Sequence, residues 1–495
     1  MNFIFSSKPN FSENANFIFL ITEDFATKKL CKEGCKCNTS RCFSGKENET
    51  LLNVNPLTGQ ISVLYGLGDE SKLNSVKLEK IGNKLFNFVK GQKFEKIAIA
   101  FNGKLDCHGV LDYTDKPEYL LSIINGMQLT DYSFDKYKTK KDDDKRKLKD
   151  VFVFTESKTI EKEFKELEII KNNVFLCRDL VNEPANELNP EVYADFCKTL
   201  SSTGLEIKVL DEDEMQKLGM GCILAVGQGS AMQSKLVVLK WKGKKSNEND
   251  IAFIGKGITF DSGGMDLKPS NAMEDMKTDM AGSAVVVSTM KLLAERKAKV
   301  NAIGVIPLVE NMLSGSATKP ADIVKSLSGQ TVEILNTDAE GRLILADALY
   351  YAETEFKPKT MIDLATLTGA ICVALGEKYA GIFTNNDDLA SEIAEASKNT
   401  GECSWRMPLE GEGEYFDKMM DSDIADVKNI SQSRFGGSIT AGEFLQRFIN
   451  KHNKWAHIDI AGTAFLTKEN FFVKKDATGY GVRLLNDLIK NHYEK

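Results

Sequence analysis

Histidine is scarce in this 495-residue chain, which has only His108, His452, His457 and His492. None is followed by Glu, so the zinc-binding helix HExxH is absent. No Gly-x-Ser-x-Gly segment occurs, which removes the strained nucleophile elbow of the α/β-hydrolases. Gly255-Lys256-Gly257 opens like a dinucleotide fingerprint but lacks the third glycine, and no Ser or Thr follows Lys256 to complete a Walker loop. No apolar run approaches the ~18 residues that span a bilayer. Met1 to Leu20 lacks a basic stretch leading into a continuous apolar one, so it does not read as a secretory signal. The expectation is a cytoplasmic protein with no membrane partner. With 37 glycines and 10 prolines the chain is neither collagenous nor of low complexity, and no repeat at solenoid spacing is visible. Acids outnumber bases 71 to 64, a net charge of −7. Such a surface is not built to coat phosphate backbones, so nucleic acid is not an expected partner.

Apolar residues make up 42% and charged residues 27%, an ordinary globular balance. A chain of this size buries a sizeable core without disulfide staples, so the ten cysteines are read as reduced thiols. Four of them, Cys31, Cys35, Cys37 and Cys42, lie close together. Zinc sites favour pairs separated by a longer loop, so these read as a Cys-rich surface hairpin. Cys107, Cys177, Cys197, Cys222, Cys372 and Cys403 read as small core residues.

Two zones of pattern follow one another. Residues 1–155 carry strand-like runs at Phe17–Ile21, Ile97–Phe101 and Val151–Phe154 with helical stretches between them, an N-terminal α/β domain. The charged run Lys136 to Asp150 mixes signs and reads as a solvated loop. Over 156–180, Ile160, Phe164, Leu167, Ile170 and Val174 recur at helical spacing, a long linking helix stopped near Asn182-Glu183-Pro184. Residues 181–495 alternate short apolar runs (Leu236–Leu239, Ile251–Ile254, Ala302–Ile306, Met361–Leu364, Ala380–Phe383, Ala456–Ile460) with helical stretches (Ser283–Glu295, Ile344–Thr354, Gly442–Asn450). The fold class is therefore α/β: two α/β domains joined by a long helix, the C-terminal one a largely parallel sheet covered by helices on both faces.

Acids and lysines gather where such a sheet would place a ligand, beyond the carboxyl ends of its strands. Lys256 and Asp261 follow the run Ile251–Ile254; Asp338 and Glu340 follow Val332–Leu335. Two residues apart, Asp338 and Glu340 share a side of an extended segment, and Arg342 continues the series. With Asp261 and Asp279 they could form a pocket of four carboxylates. Like charges that close raise one another's pKa strongly, and two divalent ions are the natural remedy. Paired-metal sites of this kind serve phosphoesterases and aminopeptidases alike.

The segment Asn336 to Leu343, NTDAEGRL, resembles the signature of the leucyl aminopeptidase family, the cytosolic metallopeptidases of the M17 type. NEPAN (182–186), VGQGS (226–230), GKGITFDSGG (255–264), DLATLTGA (363–370), WAHIDIAG (455–462) and ATGYGVRLL (477–485) also resemble family segments. The resemblance covers about residues 165–490. It implies that Asp261, Asp338 and Glu340 hold one metal, and that Lys256, Asp261, Asp279 and Glu340 hold the other. Lys256 would ligate as a neutral amine, since an ammonium has no lone pair. Lys268 would stay charged and polarise the scissile carbonyl. Lys268 and Arg342 are the implied catalytic residues. A water or hydroxide between the metals would be the nucleophile, and a bicarbonate held by Arg342 would be the base.

The same resemblance makes Asp279 the receiver of the substrate's α-amine. It lines the side-chain pocket with Met276, Thr366, Leu367, Gly369, Ala461 and Ala464, which suits apolar first residues, Leu and Met leading. The implied cofactors are two divalent ions per subunit, manganese or zinc foremost, and bicarbonate. The implied assembly is a homohexamer acting on peptides. An additional DNA-binding role, as in some bacterial relatives, is the alternative that the net negative charge argues against.

Overall fold

The computed structural model describes residues 1–7, 15–29, 43–56, 59–105, 111–140, 147–450, 452–466 and 476–494. Cys31, Cys35, Cys37, Cys42, Cys107, His108 and the middle of the charged run lie outside the described residues. The chain forms two units, Met1–Lys171 and Asn172–Lys495.

The first unit holds a six-stranded sheet in the order Asn2–Ser6, Asp150–Phe154, Lys96–Phe101, Asn16–Thr22, Ile61–Gly68, Thr50–Val54. All neighbours run parallel except the last pair. Helices Ser75–Gly91 and Pro117–Thr130 pack tightly on one another. Ile18, Leu20, Ile97, Ile99, Val151 and Val153 form a core with Leu78, Ile81 and Ile123 from those helices.

The helix expected over 156–180 runs Ile160–Asn182, starting at the first residue of the apolar series. Asp115 takes the hydroxyl of Thr155 and the amide of Glu156, holding those residues out of helical geometry. Its early residues Ile160 and Phe164 belong to the first unit's core, and Asn173 bonds Glu295 in the second unit.

The second unit is built on a nine-stranded sheet ordered Ser404–Arg406, Ala380–Thr384, Lys454–Asp459, Thr360–Ala365, Ile251–Gly255, Asn301–Asn311, Lys235–Lys242, Glu206–Leu210, with Gly257–Asp261 pairing the far end of Asn301–Asn311. The centre is parallel; antiparallel pairings occur toward both edges. Alternate residues of the central strands serve opposite faces. Ala252, Ile254, Ile303 and Val305 share a core with Ile344, Leu345 and Ala348 of helix Gly341–Phe356. On the opposite face lies helix Ala281–Glu295, nearly every residue of which is buried, as expected of a helix apolar all round. Gly304 permits its approach: a Cβ there would stand 2.9 Å from Met290 Cγ.

Three expectations need correction. The strand before Asp338 is Thr331–Glu333, and it belongs to a separate three-stranded sheet with Ile323–Lys325 and Val427–Lys428. The predicted helix Gly442–Asn450 lies earlier, at Gly437–Gln446. Cys372 and Cys403 are only half-buried, whereas Cys177, Cys197 and Cys222 are core residues. Among the described residues, no helix is long and apolar enough to cross a membrane.

Candidate active site

Two crossings bring the acids and lysines together. Lys256 lies between strands Ile251–Gly255 and Gly257–Asp261, its amide bonded to Leu364 O (3.0 Å) and its carbonyl to Ser283 N (2.8 Å). These bonds fasten the strand to the start of helix Ala281–Glu295, so Asp279, just before that helix, faces Lys256. Helix Gly341–Phe356 approaches from the other face, with Glu340 as its first cap.

Asp338, Glu340 and Arg342 do not form an extended row. Asn336 Oδ1 accepts the amide of Asp338 at 2.7 Å, an Asx turn, and Glu340 already has right-handed helical backbone angles. The turn and the helix start, rather than a two-residue alternation, carry these side chains to the centre.

Lys256 Nζ lies 2.8 Å from Asp279 Oδ1, 2.9 Å from Glu340 Oε1 and 2.9 Å from Thr366 O. Three acceptors around one nitrogen describe an ammonium. Burial alone lowers a lysine's pKa, but Asp279, Glu340 and Asp261 outweigh it and hold Lys256 above the ordinary lysine range. Lys268 Nζ bridges Asp261 Oδ2 (2.7 Å) and Asp338 Oδ1 (2.5 Å). Its pKa is likewise raised, as Asp261 and Asp338 overcome partial burial. Burial and the neighbouring Glu340 push Asp261 up to about 6 despite both lysines. Burial raises Asp279 well above the usual carboxylate range and Asp338 above it; Glu340 is also buried, but Lys256 holds it below.

The donor set fits a metal. One carboxylate oxygen from each of Asp261, Asp338 and Glu340 lies within 4.8 Å of the others. Asp279 Oδ2 and Glu340 Oε2 are buried without a hydrogen-bond partner among the described residues. A buried carboxylate oxygen left unpaired is costly, and a cation is the partner it lacks. Oxygen donors with one amine suit several divalent ions.

Arg342 is buried, its Nη1 donating to Asn429 O at 2.7 Å while Nε has no partner among the described residues. Burial pushes its pKa down to about 10, against Glu340 and Asp459. The pocket candidates fall on three segments. Met276 opens the short turn Met276–Thr278 that leads to Asp279; Thr366, Leu367 and Gly369 follow strand Thr360–Ala365; Ala461 and Ala464 follow strand Lys454–Asp459. Thr366 Oγ1 donates to Asp279 Oδ1 at 2.7 Å, joining pocket to centre. Gly369 is exposed, Ala464 buried and the others half-buried.

Sequence reasoning passed over the residues that orient these groups. Asn311 Nδ2 donates to Asp261 Oδ1 (2.8 Å) and Thr337 O (3.0 Å), tying the two acidic segments together. Thr337 also bonds Gly263 O and Asp266, and Asn429 receives Leu335 N. Asp459, inside a segment already singled out, accepts from Leu367 N and Thr368 Oγ1.

The arrangement defines a class: a carboxylate-rich, cation-binding centre at the carboxyl edge of an α/β sheet. The model of the cytosol aminopeptidase family catalytic domain matches residues 175–486, and that of the family's N-terminal domain matches 37–141. A probable cytosol aminopeptidase of Wolbachia pipientis wMel is 47% identical over 91% of this chain and 88% of its own length. One from Sinorhizobium fredii is 48% identical over 91% and 90%. Among solved structures, a mutant of tomato leucine aminopeptidase superposes with a TM-score of 0.83 at 32% identity, covering 99% of this chain and 96% of that one. The bottromycin maturation enzyme BotP in complex with Mn gives 0.81 at 29%, covering 97% and 99%. The chain belongs to the cytosol aminopeptidase family and is an aminopeptidase, an exopeptidase acting at the N-terminal end of peptides.

Proposed function

We propose that this aminopeptidase removes apolar N-terminal residues, Leu and Met foremost, at a centre that takes two divalent ions, manganese or zinc. Asp261, Asp338 and Glu340 would hold one ion; Lys256, Asp261, Asp279 and Glu340 would hold the other. When bound, such ions acidify water and polarise a carbonyl. The observation that carries this reading is the pair of buried, unpartnered oxygens on Asp279 and Glu340 beside the three-carboxylate cluster.

The chain's own groups orient the substrate. Asp279, whose Oδ1 is engaged by Lys256 and Thr366, faces the substrate's α-amine, which would bind beside the ion that Asp279 helps to hold. Lys268 donates to the carbonyl oxygen as negative charge grows there, the role of an oxyanion donor. The half-buried Met276 and Leu367 supply the apolar wall that selects the side chain. Arg342, with Nε unpartnered, suits a planar oxyanion such as bicarbonate, which would supply the base that no side chain of the centre provides.

The test is chelation with substrate comparison. Removal of metal should abolish cleavage of Leu-amide, and Mn, Co or Zn should restore it. Acetyl-Leu-amide should be slower than Leu-amide by orders of magnitude, because blocking the amine leaves buried polar groups unpaired. Full activity in protein shown by elemental analysis to be metal-free would overturn the reading.

A further inference from the structure

We infer that Asp459 is a positioning residue for specificity, fixing the loop Thr366–Thr368 and the turn at Ala461 so that the side-chain pocket and the amine-binding end of the centre are set as one piece. The inference deepens the site reading proposed above and rests on it.

Asp459 ends strand Lys454–Asp459, fully buried, in register with Ala365 on one side and Gly381 on the other. A carboxylate in that position needs donors. It has three. Leu367 N reaches Oδ1 at 3.1 Å, Ala461 N reaches Oδ1 at 3.2 Å, and Thr368 Oγ1 reaches Oδ2 at 2.7 Å. All come from the two segments that carry the pocket candidates, and none comes from a proposed metal ligand.

The direction of the Thr368 bond is fixed. Its oxygen accepts Ile371 N at 3.1 Å as the cap of helix Gly369–Leu375, so its single proton goes to Asp459. Two residues earlier in the same loop, Thr366 donates its hydroxyl to Asp279 and its carbonyl accepts from Lys256 Nζ. Three consecutive residues are thus pinned between Asp459 on one side and Asp279 with Lys256 on the other. Moving the Asp459 end must move the pocket wall relative to the amine site. Behind Asp459, Trp455 and His457 both bond Asp363, Trp455 at 2.7 Å and His457 at 2.6 Å, which steadies the strand.

The experiment compares kcat and KM for Leu-amide and Ala-amide in Mn-loaded wild type, Asp459→Ala, Asp459→Asn, Thr368→Val and Thr368→Ser, with bound metal and Tm measured in each. Asp459→Ala should keep its metal and lower the Leu-over-Ala ratio of kcat/KM about tenfold, chiefly through KM for Leu, the scale of one or two methylenes misread by a pocket. Thr368→Val should shift the ratio the same way by less, and Thr368→Ser should restore it. Asp459→Asn, which keeps an acceptor for Leu367 and Ala461, should fall between. A merely structural role lowers both substrates and Tm together and leaves the ratio alone. An unchanged ratio in folded Asp459→Ala overturns the inference. Should that variant not fold, an unchanged ratio in Thr368→Val does so. Metal-loaded wild type that fails to cleave Leu-amide, or shows no preference for Leu over Ala, brings down the site reading and the inference with it.

Discussion

Replacing Gly341 with alanine tests the placement of Lys256 against the helix that follows Glu340. A Cβ on Gly341 would stand 2.5 Å from Lys256 Cε, 2.7 Å from Nζ and 2.8 Å from Cδ. Favourable contact needs ~3.5–4.0 Å, so the end of the lysine must retreat by about 1 Å. The backbone raises no objection, because Gly341 is not among the residues with positive φ. Alanine in a helix is worth about 1 kcal/mol over glycine. The displaced group is the enclosed end of Lys256, so overpacking costs ~1–3 kcal/mol. Loosening a buried ion pair costs more again, and the helix gain does not offset the sum, so Tm should fall by several degrees. The centre suffers with the fold. Lys256 Nζ sits 2.8 and 2.9 Å from Asp279 and Glu340, and a retreat of about 1 Å leaves one of these buried acids without its cation. Misplacement on that scale costs ~10²-fold in rate. Gly341→Ala should therefore unfold below the wild-type temperature, lose about 10²-fold in kcat/KM on Leu-amide, and bind less of the metal that Lys256 is proposed to hold. Wild-type kcat/KM together with wild-type metal content would refute the placement of Lys256 against this helix.

Three further outcomes follow from the same geometry. Lys268→Ala should keep both metals and lose ~10²–10³ in turnover, the usual size for one oxyanion donor, whereas Lys256→Ala should lose metal; the opposite pattern by elemental analysis would reverse the two roles. In carbonate-free buffer the wild-type rate should rise on adding bicarbonate and that of Arg342→Ala should respond much less; a wild-type rate indifferent to bicarbonate tells against the anion. Metal binding should release at least one proton per subunit, since Lys256 must pass from ammonium to amine and the raised Asp279 must ionise, so apparent affinity should strengthen with rising pH by about tenfold per unit for each proton released; calorimetry in two buffers of different ionisation enthalpy that finds no proton release would contradict this.

The sheet and its helices were legible because their signal is local. Ile251–Ile254 and Met361–Leu364 are continuous apolar runs, as strands covered on both faces must be, and each lies within an observed strand. The helix over 283–295 announced itself in the same way, and only its first two residues were missed. What escaped notice depends on contacts between distant segments. The turn at Thr337-Asp338 is held by Asp266, Asn311 and Asn429, which lie between 26 and 94 residues away from their partners in the segment. No spacing rule links them. The acids that make up the centre were visible by type and clustering, but their meeting depends on helix Ala281–Glu295 and helix Gly341–Phe356 approaching one lysine from opposite faces of the sheet.

That lysine and its neighbour also show why residue type alone cannot assign roles. Both are ammoniums here, and each bridges two acids, so the centre balances most of its own charge and can fold before any metal arrives. Their surroundings differ. Lys256 has a side chain only 4% exposed and commits three contacts, to Asp279, Glu340 and Thr366. It has little room to swing, so a cation held by Asp279 and Glu340, as proposed, would take a proton from it. Lys268 is 14% exposed, sits on a loop after Gly263-Gly264, and has ion pairs to Asp261 and Asp338. It can leave those carboxylates to an incoming dication, keep its charge, and turn to a substrate oxygen. On the proposed reading the enclosed lysine would become a ligand and the looser one an electrophile, a division set by packing rather than by chemistry of the side chain.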